Sequence, residues 1–151
     1  MILISQIGSK EIYDDLLKLG LIPNKSKRLS LPSIPKKYFS HFIRGYFDGD
    51  GSVDFGFYQR KDRKNQSFVL LTRFTSGSKA FLQNLLESLR EYVGIKGGSI
   101  YKKQGGYDLS FSIRDSVRLY GFIYKDAKKN QFLERKHDEF QEAIKYYGGV
   151  A

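Results

Sequence analysis

The sequence predicts an α+β fold in which an antiparallel sheet forms a saddle packed by helices on one face only. The chain has 151 residues, a length typical of one domain with its own core. Apolar residues recur at helical spacing in some segments and alternate with polar residues in others. From residue 39 onward these segments follow the order αββαββα, and one further helix ends the chain. Two hairpins set between helices favour an α+β arrangement.

The first 38 residues predict a strand, a helix and a connector. Residues 1–7 are rich in β-branched side chains and favour a strand. Ser9 is the expected N-cap of a helix that ends at Gly20. Residues 21–35 contain all three prolines of the chain, which favours an extended connector.

The predicted helix over residues 39–47 is followed by a predicted β-hairpin. Two glycines after the helix end it, and alternation of period two then begins at Val53. The polar residues 61–66 predict the hairpin loop, and residues 68–75 predict a second strand that is partly buried on both faces.

The second half of the chain repeats this order. Ser78 is the expected N-cap of a helix that ends at Gly94. Strands over residues 99–103 and 107–114 flank Gln104-Gly105-Gly106, a typical hairpin turn. The remaining helices are predicted over residues 117–124 and 132–147. Gly77-Ser78-Lys79 also repeats Gly8-Ser9-Lys10, which indicates either an internal repeat or a common strand–cap–helix junction.

The chain carries 26 lysines and arginines against 16 acidic residues, a formal net charge of +10. This excess points to a polyanionic partner, most simply nucleic acid. Zero cysteines and only two histidines exclude disulfides, thiol chemistry and multi-histidine metal sites. Apolar runs of about 18 residues are absent, so we predict no membrane span. The N-terminus lacks a secretory signal pattern, and we expect an intracellular, cytoplasmic protein.

Basic and polar side chains are predicted on the exposed face of the sheet and in the first hairpin loop. A β-ribbon with this chemistry can enter the major groove and contact base edges. The predicted DNA-binding residues are Tyr58, Arg60, Lys61, Arg63, Lys64, Arg73, Lys103, Ser110, Ser112 and Arg114.

Residues 42–52 carry the most informative motif. Gly45 and Gly49 share a helix face, so a second helix can approach closely there. Asp48 and Asp50 lie at the negative end of the helix dipole, where a bound cation would offset their charge. Two such carboxylates on paired helices would form an oxygen-rich Mg²⁺ site. Two metal ions there could clamp the attacking and leaving oxygens of a phosphodiester.

The segment Phe42-Ile43-Arg44-Gly45-Tyr46-Phe47-Asp48-Gly49-Asp50-Gly51-Ser52 resembles the LAGLIDADG homing endonucleases. Ile43 to Gly51 matches the nine-residue signature position by position, and Arg44, in the slot of a small residue, is the main departure. The resemblance extends over residues 1–147 through the αββαββα order and Leu133-Glu134-Arg135-Lys136. It implies an endonuclease domain over residues 39–147, with residues 1–38 as the partial end of a preceding repeat.

The resemblance also implies the roles of individual residues. Asp50 matches the catalytic, metal-binding carboxylate, and the backbone carbonyl of Gly49 would assist it. Asp48 matches the first acid of the motif, whose role is more often structural. Lys136 matches the basic residue near the cleaved phosphates, with Arg135 as the alternative. Mg²⁺ is the implied cofactor.

Two further expectations concern residues outside these carboxylates. Thr75 or Ser76 lies near the position of a water-positioning residue. His41 and His137 are expected at the surface or at helix caps rather than as catalytic bases.

One signature helix is present, although an active site of this family needs two. The chain is therefore expected to form a homodimer through Phe42, Gly45, Phe47 and Gly49, or to be part of a longer protein with two motifs. The expected activity is Mg²⁺-dependent, site-specific hydrolysis of double-stranded DNA. The alternatives are a catalytically inactive DNA-binding protein and an RNA-binding intron maturase on the same scaffold.

Overall fold

The computed structural model describes residues 8–18 and 28–150. The predicted strand over residues 1–7, Gly20 and the first part of the connector lie outside the described residues. The helices are α1 (Lys10–Lys18), α2 (Lys36–Asp50), α3 (Lys79–Val93), α4 (Ile113–Tyr124) and α5 (Glu134–Val150), and the strands are β1 (Gly51–Gln59), β2 (Gln66–Ser76), β3 (Ser99–Lys103) and β4 (Gly106–Phe111). A short 3₁₀ helix, Lys129–Gln131, precedes α5. From α2 to α4 the order is αββαββα, which confirms the predicted fold class.

The four strands form one antiparallel sheet in the order β1-β2-β4-β3. β2 is central and pairs with β1 on one side and with β4 on the other. Its register with β4 places Thr75 opposite Asp108 and Arg73 opposite Ser110. Because side chains alternate along a strand, this register decides which residues share a face.

One face of the sheet packs against the helices and forms the core. Leu70, Phe74 and Leu109 are fully buried on this face. The ring of Phe47 in α2 lies 6.0 Å from that of Phe74, centroid to centroid. The opposite face, here called the open face, carries half-buried and exposed side chains together with the buried Asp108. It includes Asp54, Tyr58, Leu71, Arg73, Thr75, Lys103, Asp108 and Ser110.

The predicted helix caps are confirmed. The backbone N–H of Ile12 donates to Ser9 Oγ at 3.3 Å, and that of Phe81 donates to Ser78 Oγ at 3.2 Å. α3 ends at Gly94, whose φ of 74° lies in the left-handed region that favours glycine.

The predicted strand over residues 107–114 is wrong at its end. β4 stops at Phe111, and α4 begins two residues later at Ile113. Ser112 is the N-cap residue of α4, and Arg114 lies in its first turn, so neither belongs to the open face. The early helix is held in place by Asp115, which accepts hydrogen bonds from the backbone N–H groups of Lys96 and Gly97 at 3.1 and 2.7 Å.

The helices found along residues 8–18 and 28–150 are not suited to crossing a membrane. None there is both long enough and apolar enough.

Candidate active site

The C-terminal end of α2 brings the motif to the edge of the sheet. Asp50 is the last residue of α2 and is exposed, and β1 begins at the next residue without a loop. Gly51 permits this abrupt change, because a Cβ there would lie only 2.6 Å from the carbonyl oxygen of Phe47. The backbone of Asp50 is therefore held between a helix on one side and a paired strand on the other.

Lys136 of α5 lies at this same end of α2. Its Nζ donates hydrogen bonds to the backbone carbonyl oxygens of Phe47 at 2.8 Å and Gly51 at 2.7 Å. An ammonium group is favourable there, since the last carbonyls of a helix have no partners within the helix. Burial lowers the pKa of Lys136 and Arg135 lowers it further, while the charges of Asp48 and Asp50 oppose this shift.

Arg135, the alternative to Lys136, points elsewhere. Its guanidinium lies 4.0 Å from Glu139 on the exposed surface of α5, with three quarters of the side chain accessible. Of the two basic residues, only Lys136 contacts the end of α2.

Asp48 links α2 to the start of α5. Its Oδ2 accepts a hydrogen bond from the backbone N–H of Leu133 at 3.1 Å. The carbonyl of Leu133 in turn accepts from the backbone N–H groups of Lys136 and His137. This contact supports a structural role for Asp48, because it positions the helix that carries Lys136.

The structure explains Arg44, the departure from the signature pattern. Arg44 is buried and donates to the carbonyl oxygens of Ile123 at 2.6 Å and Gln131 at 3.0 Å. Its Nη2 also lies 2.5 Å from Nδ1 of His41. Arg44 therefore joins α2 to the end of α4 and to the 3₁₀ helix, and His41 supports it. His137 stacks on Phe132 with ring centroids 4.6 Å apart.

Tyr46 connects α2 to β2 beside Asp50. Its hydroxyl donates to the carbonyl oxygen of Thr75 at 2.5 Å. Burial raises the pKa of Tyr46, and the negative charge of Asp50 raises it further, so the phenol stays protonated at neutral pH.

Thr75 and Ser76, the two candidate water-positioning residues, face opposite sides of β2. The Thr75 side chain lies on the open face and donates to Asp108 Oδ1 at 2.6 Å. Ser76 is buried, and its Oγ accepts from the backbone N–H of Ser78 at 3.1 Å. Thr75 is the one whose hydroxyl lies on the open face.

Four predicted DNA-binding residues lie together on the open face, and four lie in the first hairpin loop. The register places Tyr58, Arg73, Lys103 and Ser110 on this face. Arg73 forms an ion pair with Asp54. Exposed basic side chains at the loop are those of Arg60, Lys61, Arg63 and Lys64. The loop joins β1 to β2, two of the strands that form this face.

The predicted homodimer contact is partly wrong. Phe47 is fully buried in the core of its own chain, with ring centroids 6.0 Å from Phe74 and 5.5 Å from Phe140. Positions 45 and 47 lie about 200° apart around a helix, so both cannot line one contact. Gly45 and Gly49 are exposed, and a Cβ at either would meet no atom within 4 Å. Phe42 is half-buried.

The oxygen atoms at the end of α2 suit a hard cation such as Mg²⁺, which prefers carboxylate and carbonyl ligands. In residues 8–18 and 28–150, however, no three acidic, histidine or cysteine side chains are close enough to hold a metal ion. The described residues of one copy therefore provide fewer than three such side chains at this end of α2.

Sequence reasoning missed Asp108. The alternation along β4 places it on the same face as Ser110, but nothing local shows that it meets Thr75. That contact depends on the pairing of β2 with β4, which are 33 residues apart at this point.

Comparisons with known proteins find similarity in both sequence and fold. The sequence profile of the LAGLIDADG endonuclease family matches residues 43–147. Curated proteins give no match. The homing endonuclease I-CvuI, solved with the I-CreI target DNA, aligns with a TM-score of 0.55 and 12% identity over 73% of this chain and 66% of that chain.

Two other solved structures show the same fold. The homing endonuclease I-TnaI aligns with a TM-score of 0.53 and 19% identity over 78% of this chain and 71% of that chain. The LAGLIDADG homing endonuclease I-SmaMI, bound to cleaved DNA, aligns with a TM-score of 0.54 and 20% identity over 94% of this chain and 45% of that chain. The chain thus spans about two thirds of I-CvuI and less than half of I-SmaMI.

Proposed function

The chain belongs to the LAGLIDADG endonuclease family, and from this premise we propose that it hydrolyses double-stranded DNA at specific sites as a Mg²⁺-dependent homodimer. The observation that carries the proposal is the convergence of Asp50 and Lys136 at one exposed end of α2. They are 86 positions apart in the sequence and on different helices. A carboxylate beside an ammonium group, at the border of a basic sheet face, fits a site that acts on phosphodiesters.

The homodimer is proposed because one copy supplies only half of the acidic site. The exposed Gly45 and Gly49 leave room for a second α2 to approach closely. Such an approach would bring the two Asp50 carboxylates together, since each lies at the end of its helix. Phe47 is not part of this contact, because it fills the core of its own chain.

Each residue at the end of α2 has a distinct proposed task. Asp50 and the backbone carbonyl of Gly49 would hold Mg²⁺, which supplies Lewis acid chemistry to phosphodiester hydrolysis when bound. Lys136 would place a positive charge next to the phosphate as negative charge develops on it. Asp48 would keep α5, and with it Lys136, in register with α2.

The open face and the first hairpin loop are the proposed DNA-binding surface. The open face presents Arg73, Tyr58 and Ser110, whose donors and acceptors suit base edges in the major groove. The loop lysines and arginines suit backbone phosphates. The solved I-CvuI and I-SmaMI structures contain bound DNA, which supports DNA as the partner.

Cleavage of a randomised library of DNA duplexes tests the proposal even though the target sequence is unidentified. We expect a defined subset of duplexes to be cut with Mg²⁺ and none to be cut with EDTA. The Asp50→Asn variant should lose cleavage and keep affinity for the selected duplex. Asp126→Asn, an equal charge change at an exposed position after α4, should behave as wild type. Cutting by Asp50→Asn would disprove the assigned site.

Binding without cutting is the other informative outcome. If the chain binds duplex DNA in a salt-sensitive manner but cuts none of the library with Mg²⁺, it is a non-catalytic DNA-binding protein on the same scaffold. Competition with structured RNA in the same binding assay distinguishes DNA from RNA as its partner.

A further inference from the structure

Three side chains from three strands form a charged hydrogen-bond network on the open face. Lys103 Nζ of β3 lies 2.7 Å from Asp108 Oδ1 of β4. The hydroxyl of Thr75 in β2 donates to that same oxygen at 2.6 Å. Lys103 Nζ also donates to Thr75 Oγ1 at 3.1 Å. Each member therefore contacts the other two.

Asp108 is the buried centre of this network. Only 10% of its side chain is accessible, whereas the side chain of Asp54, the other acidic residue of the open face, is nearly half exposed. Burial alone would raise the pKa of Asp108, but the hydrogen bonds from Lys103 and Thr75 outweigh it and lower the pKa. The carboxylate is thus ionised at neutral pH, and its two donors are held firmly.

The network is connected to the end of α2. The Thr75 side chain donates a hydrogen bond to Asp108, and its backbone carbonyl accepts one from the Tyr46 hydroxyl at 2.5 Å. Tyr46 lies one helical turn before Asp50, and the charges of Asp50 and Asp108 both act on its phenol. The chain of contacts therefore runs from Lys103 through Asp108 and Thr75 to the helix that carries Asp50.

We propose that Asp108 is a positioning residue that, together with the Thr75 hydroxyl, holds the Lys103 ammonium group against a DNA backbone phosphate close to Asp50. The inference rests on the proposed nuclease function. A free lysine side chain has many rotamers, and fixing it before DNA binds reduces the entropy lost on contact. A donor that is already oriented also stabilises developing charge without reorganising.

This arrangement predicts opposite effects on binding and on cleavage. The Asp108→Asn variant removes one negative charge from the DNA-binding surface and releases Lys103. Its affinity for non-specific duplex DNA should therefore stay equal or rise. Its single-turnover cleavage rate should fall by about 10- to 100-fold, since small displacements of positioned groups have effects of that size. A merely structural role would not separate the two quantities.

Lys103→Met supplies the complementary change. It removes the contact with phosphate, so the slope of log affinity against log salt should become shallower by about 0.9. Cleavage should also slow, and the double variant with Asp108→Asn should be no slower than Lys103→Met alone. Independent, multiplicative effects of the two substitutions on cleavage would overturn the proposal.

The experiment measures salt-dependent affinity and single-turnover cleavage for wild type, both single variants and the double variant. Asp126→Asn controls for net charge, and thermal unfolding shows whether each variant is folded. Thr75→Val, which keeps the side-chain shape, should slow cleavage even if Asp108→Asn does not fold. Wild-type cleavage by a folded Asp108→Asn or by Thr75→Val overturns the proposal.

The binding measurements keep the inference separate from the proposed function. If wild type cuts no duplex, the nuclease proposal fails, and the salt dependence still tests the network. If Asp108→Asn leaves Lys103 oriented, the variant should have the wild-type salt slope, and adding Lys103→Met should change that slope as much as it does in wild type. Such a result contradicts a positioning role. A changed Lys103→Met effect in the Asp108→Asn background supports it.

Discussion

The Nζ of Lys136 lies 2.8 Å from the backbone carbonyl oxygen of Phe47, so the last helix of the chain contacts the end of the helix that carries Asp50. The same ammonium group contacts the carbonyl of Gly51 at 2.7 Å. It thus bridges the final turn of α2 and the first residue of β1. The burial that accompanies these contacts lowers the pKa of Lys136. Because of this shift, the pH dependence of cleavage can test the charge state of Lys136.

Lys136→Met should abolish most cleavage while leaving the fold intact. The substitution removes hydrogen bonds but also removes a partly buried charge, so we expect the free energy of unfolding to change by only about 1 kcal/mol. Cleavage should fall by about 10²- to 10³-fold, as expected for loss of an electrostatic group at the reacting phosphate. Single-turnover cleavage and thermal unfolding measure the two effects. Lys145→Met, at an exposed position of α5, is the control.

The pH dependence of cleavage tests the charge state of Lys136 directly. If the ammonium form acts, the rate falls as pH rises through the pKa of Lys136. Because this pKa is lowered, the fall should begin below the range in which ordinary lysines titrate, near pH 10.4. Lys136→Arg should move the fall to higher pH, since arginine stays charged. A rate profile unchanged in Lys136→Arg would contradict this assignment.

The dimer contact can be separated from the core by comparing Gly45 with Phe47. Gly45→Leu should not destabilise the single chain, because a Cβ there meets no atom and glycine in a helix costs about 1 kcal/mol relative to good helix formers. It should nevertheless prevent close approach of two α2 helices, and so weaken dimerisation and cleavage. Sedimentation velocity with and without DNA measures the association. A Gly45→Leu protein that remains dimeric and active would rule out this face.

Phe47→Ala is the counterpart to that experiment. Phe47 is fully buried, and loss of such a ring typically destabilises a protein by about 3–5 kcal/mol. We therefore expect a large decrease in melting temperature for Phe47→Ala and none for Gly45→Leu. Positions 45 and 47 are only two residues apart, so the difference in melting temperature between the two variants reports which face of α2 is buried.

Local patterns predict much of this fold, while the site depends on contacts that a sequence does not display. The caps at Ser9 and Ser78 and the end of α3 at Gly94 are set within four residues, and the sequence predicts each of them. The pairing of Thr75 with Asp108 depends on strand order, which period-two alternation leaves open. The apolar character of Phe47 suits a dimer interface as well as a core, so the sequence alone does not distinguish the two.

Asp115 should be a major determinant of acid stability. Burial would raise its pKa, but hydrogen bonds from the backbone of Lys96 and Gly97 and from Arg118 lower it. A carboxylate with a lowered pKa stabilises the fold above its unfolded pKa of about 3.9, and this contribution is lost as pH falls through the folded value. Asp115→Asn should therefore lose about 1–3 kcal/mol at neutral pH, because its amide has only one acceptor oxygen for two N–H groups.

Denaturant unfolding at pH 7 and at pH 3 measures this contribution. The difference in stability between wild type and Asp115→Asn should be large at pH 7 and smaller at pH 3. Asp126→Asn, which removes an exposed carboxylate, should show little change at either pH. An equal loss for Asp115→Asn at both pH values would show that geometry, rather than ionisation, is responsible.

The boundary between β4 and α4 decides which arginine lies on the open face. The apolar residues Phe111 and Ile113 continue the alternation of β4, which predicts a strand that extends to Arg114. The same spacing also fits a strand that ends at Phe111 and a helix that begins at Ile113. The structure places Arg73 on the open face opposite Ser110 and places Arg114 in the first turn of α4. Arg73→Met should therefore lower affinity for the selected duplex and relax its sequence preference, typically by about 1–3 kcal/mol for a base-contacting arginine.

Arg114→Met makes the same change in charge away from the open face. It should leave the sequence preference unchanged and alter affinity at most through the general electrostatic attraction, which added salt suppresses. Binding-site selection followed by titrations at two salt concentrations separates base readout from this long-range effect. If Arg114→Met relaxes the preference and Arg73→Met does not, then the sheet does not read DNA through its open face, and the base-reading surface must be sought at the start of α4.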